Sequence, residues 1–101
     1  MFLRDFVRRC AEKFPEDIAY VDAARRSNWA EMHRRSNRLA RALQGLGIGK
    51  GVSTAILSHN RIEVAEHWFA CMKTGSVRAG LNWRYSSREM MHVIRDCDAR
   101  A

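Results

Sequence analysis

VSTAILSHNRIEVAEHWFACMKTGSVRAGLN, residues 52–82, decides the fold class. Its first seven residues are β-prone and almost free of charge, which predicts a strand buried on both faces of a sheet. Asn60 then stands where a helix cap belongs. In RIEVAEHWFACMK, Ile62, Ala65, Phe69 and Met72 form one apolar row, and Val64, Trp68 and Cys71 form a second beside it. So broad a stripe predicts a deeply buried helix with Trp68 in the core. Gly75 suits the left-handed position that closes a helix, and residues 76–82 read as another strand. Strand, helix, strand in this order predicts a βαβ unit with parallel pairing.

Working outward, Trp29, Met32, Ser36, Leu39, Leu43 and Leu46 follow alternating steps of three and four residues, which predicts an amphipathic helix over 30–45. Its other face carries Arg34, Arg35, Arg38 and Arg41, either the solvated side or a stripe that grips phosphates. Upstream, 18–23 reads as a strand, and ARRSNW turns the chain into a second extended piece near Asn28, making a small hairpin. Residues 2–14 have helical spacing that Pro15 stops. Downstream, SSREMMHVIRDC predicts a last helix capped by Ser86 or Ser87, with Met90, Met91, Ile94 and Cys97 inward. The expected fold is α/β, helices alternating with mostly parallel strands. A further strand is due after the last helix, so the chain reads as part of a longer protein.

With 101 residues, 47% hydrophobic and one proline, the chain can build a single small core and is not disordered. Eighteen basic against 11 acidic residues give a net charge of +7, which favours nucleic acid, acidic membrane surfaces or phosphorylated ligands as partners. No apolar run approaches the roughly 20 residues of a membrane helix, and the expected location is the cytoplasm. Cys10, Cys71 and Cys97, odd in number and widely spaced, suit reduced thiols.

GLGIGKG, residues 45–51, has the composition of a phosphate loop but not its register. A P-loop ending at Gly49-Lys50 needs glycine where Gln44 stands and a hydroxyl where Gly51 stands. The dinucleotide pattern fails at Lys50 from Gly45 and at Val52 from Gly47. The loop also follows a helix and precedes a strand, so it faces the negative end of the helix dipole. Gly45 or Gly47 is expected to terminate the helix, with Lys50 near its last carbonyls.

His67 and Cys71, four apart on one helix, could be offered as half of a metal site with His92 and Cys97, but zinc spacing is absent. A buried cysteine and a satisfied histidine are the plainer reading. His33 and His59 supply the residue type for Cys-His chemistry without its local signature. Trp68, Trp83 and Tyr85 stand among Arg61, Arg78, Arg84 and Arg88, a mixture able to stack bases. Trp83, Arg84 and Tyr85 follow a predicted strand, and ligands of open α/β sheets bind at the carboxyl ends of strands. The residues themselves point to this place as a site.

Three stretches in order, NWAEMHRRSNRLARALQGLGIGKG, AILSHNRIEV and FACMKTGSVRAGLNWRYSSREM, resemble successive blocks of the N-terminal region of the adenylate-forming family, the acyl-CoA synthetases and their relatives. The blocks are an aromatic-x-Glu helix start, an Asn-x-Leu-Ala centre, a Gly-x-Gly-Lys-Gly connector, a strand ending in Asn, and a Gly-Ala-Val to Leu-Asn-x-Arg segment. Here Val52 and Ser53 replace the common Asp-Arg, Ser76 replaces Ala, and Gly80 and Trp83 replace prolines.

The resemblance implies an incomplete N-terminal subdomain of the adenylate-forming fold, spanning residues 1–101. It implies a parent acyl-CoA ligase that uses Mg-ATP to adenylate a carboxylic acid, most fittingly a fatty acid, and passes the acyl group to coenzyme A. The family's ATP-binding motifs and mobile C-terminal domain do not occur within 1–101, so this stretch alone is expected to be inactive and to need the rest of the parent chain as partner. Arg84 matches the arginine of the Leu-Asn-Pro-Arg segment, which implies contact with a phosphate of coenzyme A; from the residues alone it is equally a surface arginine beside a loop. No catalytic or metal-binding residue is expected here. Two other readings are a small basic protein that binds nucleic acid through Arg34, Arg35, Arg38 and Arg41, and an α/β scaffold that associates through an open sheet edge.

Overall fold

A computed structural model describes residues 3–101. Helix α1 (Phe6–Lys13) follows a single 3-10 turn (Leu3–Asp5); Phe2 of the expected helix lies outside the described residues. Strands β1 (Ile18–Val21) and β2 (Arg26–Asn28) form the antiparallel hairpin, and helix α2 (Trp29–Gly45) follows it directly. The Asn28 side chain accepts a hydrogen bond from the Glu31 N–H at 2.8 Å and so caps α2. Then come β3 (Ser53–Leu57), α3 (Ile62–Thr74), β4 (Val77–Leu81) and α4 (Ser87–Asp96). The expected α/β architecture is the observed one.

β3 and β4 pair in parallel, from Ser53 opposite Val77 to Leu57 opposite Leu81. Beyond α4 the chain reaches the other side of β3. There the Arg100 N–H donates to the Ser53 carbonyl at 2.9 Å, and the Ala55 N–H donates to the Ala101 carbonyl at 2.8 Å. The segment expected to begin another strand therefore lies on the free edge of β3. Burial of β3 differs from the expectation: Ser53 and Thr54 are buried, but Leu57 is about half exposed, because only the start of the strand is enclosed.

The core lies between α2 and α3, which run in the same sense. Met32 near the start of α2 packs with Ile62 and Ala65 at the start of α3 and with Val7 of α1. Ala40 and Leu43 further along α2 pack with Ala70 and with Ile48 from the glycine loop. Leu46, expected on this face, is 72% exposed, and Ile48 fills the place instead at 1%. The reason is the turn: α2 stops at Gly45, and Gly47 takes φ = 85°, which redirects the chain inward. The last carbonyls of α2 accept the N–H groups of Leu46, Gly47 and Ile48, so Lys50 is not their partner. Gly75 does close α3, at φ = 74°, its N–H donating to the Cys71 carbonyl at 2.9 Å.

Three further expectations are corrected. Asn60 does not cap α3. Arg61 occupies the capping position without a side-chain bond, and the Ile62 N–H donates instead to the Asp22 carboxylate of the hairpin at 3.0 Å. Trp68 is 54% exposed rather than buried, because α3 turns its buried face through Ala65, Glu66, Ala70 and Cys71. On α4, Met91 is exposed, while Met90, Val93, Ile94 and Cys97 are half-buried; no residue of α4 is fully buried.

Candidate functional site

The carboxyl ends of β3 and β4 carry the candidate site. Past Leu81, the Asn82 side-chain oxygen accepts the Arg84 N–H at 2.9 Å and the Asn82 carbonyl accepts the Tyr85 N–H at 2.9 Å, which makes a tight turn of 82–85. Ser86 then starts α4 with a complete capping box with Glu89. The turn is thus fixed at both ends, and it holds Trp83 and Arg84 outward. The Arg84 guanidinium lies over the Trp83 ring, 4.9 Å from its centroid. The His59 ring, from the loop after β3, packs on the same indole at 4.4 Å. Arg84 makes no ion pair among the described residues. A planar, exposed cation resting on an aromatic plate is suited to a phosphate.

The aromatic and basic residues expected to act together are divided by the fold. Trp83 and Arg84 meet, with His59 as an additional neighbour that no sequence motif singled out. Trp68 sits with Arg78, whose guanidinium carbon is 5.6 Å from the ring centroid. Tyr85 and Arg88 line a separate groove with His92 on α4, and Arg61 is exposed near Glu63. Trp68 therefore belongs to the neighbourhood of the site and not to the core.

The four-arginine face of α2 is also divided. Arg34 pairs with Glu31 on the same helix. Arg35 reaches across to Glu66 on α3, Nε to Oε1 at 2.5 Å, and this contact holds the guanidinium firmly charged. Only Arg38 and Arg41 remain exposed without a carboxylate among the described residues. Two isolated cations make a weak grip on a phosphate backbone.

His67 Nε2 lies 3.8 Å from the Cys71 sulfur and 3.4 Å from the Thr54 hydroxyl, all three side chains buried. Burial, and then the positive Arg78, hold the imidazole below its usual pKa; burial also pushes the Cys71 thiol up. A raised thiol pKa disfavours the thiolate that a nucleophile or a zinc ligand requires. No three His, Cys, Asp or Glu side chains among the described residues could share a metal ion, and His92 and Cys97 do not join this pair.

The sequence reading missed Lys73. Its Nζ, on the last turn of α3, donates into one turn of α2, to Ser36 Oγ and Asn37 Oδ1 at 2.7 Å and to His33 Nδ1 at 3.0 Å. Burial without a carboxylate partner lowers its pKa to about 8. Beside it His33 is held below the usual imidazole value, by burial first and then by Lys73. The signal available in the sequence was Ser36, a hydroxyl in an otherwise apolar row.

No helix among the described residues is long and apolar enough to cross a membrane. Comparison with known proteins gives the relationship. The chain is 32% identical over 90 residues to the fatty acid–[acyl-carrier-protein] ligase ScoC of Streptomyces coeruleorubidus, covering 89% of this chain and 17% of that protein. It is 29% identical over 96 residues to a 3-oxocholest-4-en-26-oate–CoA ligase of Rhodococcus rhodochrous, covering 95% of this chain and 17% of the relative. The chain thus spans about a sixth of the length of these curated relatives. Among solved structures, the Klebsiella oxytoca NpsA N-terminal subdomain superposes with a TM-score of 0.86 at 26% identity, over 96% of this chain and 26% of that one. Residues 7–101 match the family described as AMP-binding enzyme, and the chain belongs to that family.

Proposed function

We propose that residues 1–101 form part of the N-terminal subdomain of an ATP-dependent acyl-CoA ligase acting on a carboxylic acid of the fatty type. The observation that carries the reading is coverage: almost all of this chain matches enzymes named as ligases of fatty or steroidal acids, and only a small share of their length is matched in return. The rest of the parent chain is the first partner, and it would supply the ATP and Mg-binding segments and the mobile C-terminal domain. The stretch alone is inactive on this reading, and the parent enzyme is cytoplasmic.

In this reading Arg84 holds a phosphate of coenzyme A, whose thiol takes the acyl group. Its exposure, its seat on Trp83 and the lack of a carboxylate partner among the described residues fit that role. The guanidinium offers parallel N–H donors to phosphate oxygens and needs no proton transfer to do so.

The test is made on the full-length protein. Pyrophosphate exchange into ATP that depends on an added fatty acid is expected; no exchange with any fatty acid would dispose of the ligase reading. Arg84→Ala should raise KM for coenzyme A by about tenfold, the loss of one charge-assisted contact on a solvated surface, and leave pyrophosphate exchange unchanged. An unaltered KM would remove Arg84 from the thiol-donor site while leaving the activity itself in place.

A further inference from the structure

On the face of the sheet toward α3, the carboxyl ends of β3 and β4 border an open cleft of about 260 Å3. Ser58, Asn60, Arg78, Gly80, Asn82 and Trp83 lie on its wall, and Arg78 is the one cation among its lining residues. Arg78 Nε is buried and has no hydrogen-bond partner, and the ion pairs among the described residues all use other cations. A buried guanidinium donor without an acceptor is costly to maintain. Its place is nevertheless built: the Trp68 ring covers it from α3 at 5.6 Å, and Gly80 leaves the strand beneath it bare. A β carbon on Gly80 would come within 3.2 Å of Nη1 and 3.6 Å of Cζ, so the guanidinium would have to shift by a few tenths of an ångström.

The rest of the wall supplies donors. With its oxygen committed to the Arg84 N–H, Asn82 has its amide hydrogens left, and Asn60 adds a second amide. The titratable groups facing Arg78 from α3 are His67 and Cys71, the first held neutral by burial and the second a thiol, so no negative charge is supplied from within. Water would satisfy a donor but not the charge, whereas a planar guanidinium pairs with two oxygens of one anion.

We propose that this cleft is a binding site for an oxyanion, a phosphate or carboxylate group, with Arg78 as the anion-binding residue and Gly80 as the residue that makes room for it. The site is distinct from Arg84, which rests on Trp83 and is not part of the wall. It does not rest on the thioester-forming reading, and its test is read without turnover.

The purified protein is titrated with inorganic phosphate and, separately, with acetate, with ionic strength held constant by chloride, while tryptophan emission is followed; Trp68 lies against the reporting group. A saturable change is expected with at least one of the two, and the tighter probe identifies the natural group as phosphate or carboxylate. Arg78→Gln should weaken binding at least tenfold, and Lys13→Gln, an exposed cation on α1 away from the cleft, should leave it as it was. Gly80→Ala, which keeps the cation and crowds it, should weaken binding several-fold. The proposal is overturned if neither probe gives saturation, or if folded Arg78→Gln binds as tightly as the parent. Should Arg78→Gln not fold by circular dichroism, undiminished binding by Gly80→Ala overturns it.

Discussion

Lys73 shows how one residue can join two helices and also carry a cost. Its ammonium ties the last turn of α3 to Ser36 and Asn37 of α2, but it does so as a half-buried cation without a counter-charge. Its folded pKa, about 8, lies below the free value of 10.5. The folded state therefore holds fewer protons than the unfolded state between those values, and stability rises with pH across that window through this group. Lys73→Met removes the titration. The melting temperature of the parent minus that of Lys73→Met should increase from pH 7.5 to pH 9.5, measured by circular dichroism; a constant or falling difference would show that burial does not penalise the charge. Half of the cluster was visible in the sequence as Ser36. The other half was hidden, since a lysine near a helix C-terminus looks like an ordinary complement to the dipole. Trp68 misled for a related reason: apolar residues on adjacent rows look alike until neighbouring elements decide which row is covered.

At the scale of elements, α3 has no cap of its own. Asp22, in the hairpin turn, accepts the Ile62 N–H at 3.0 Å together with the Ala24 and Arg25 N–H groups. The backbone bond from Ile62 is foremost in holding its carboxyl at about 2. Because that value is below the usual 3.8, the stabilisation is fully present above about pH 4 and is lost as pH falls toward 2. Asp22→Ala should lower the melting temperature at pH 7 and flatten its dependence between pH 4 and 2; an unchanged acid transition would show that the cap does not couple hairpin to helix. Truncating the residue it positions should cost more: Ile62, 4% exposed, should lose about 2–5 kcal/mol on conversion to alanine. Which elements exist was legible from periodicity and from the glycines at 47 and 75. This cap was not, because it spans 40 positions and a local pattern offers Asn60 first.

For the molecule as a whole, burial is concentrated in α2, α3 and the loop between α2 and β3, whereas α4 buries no residue completely. Amide exchange should follow that division. The slowest amides are expected around Met32, Ala40, Ile62 and Ala70, and those of α4 should exchange at least tenfold faster; equal protection across α3 and α4 would contradict the division. The site obeys the same division. Trp83 and Arg84 were readable because they follow a strand, while the relation of Arg78 to Gly80 and Trp68 exists only once α3 lies across the sheet. One small feature reaches further than its size. STAIL, residues 53–57, is a β-prone stretch without a charge. With β4 on one side and the hydrogen bonds to Arg100 and Ala101 on the other, its first half has no free edge to offer another molecule. Those two backbone bonds add little to folding stability, but they close an uncharged strand edge of the kind that seeds aggregation.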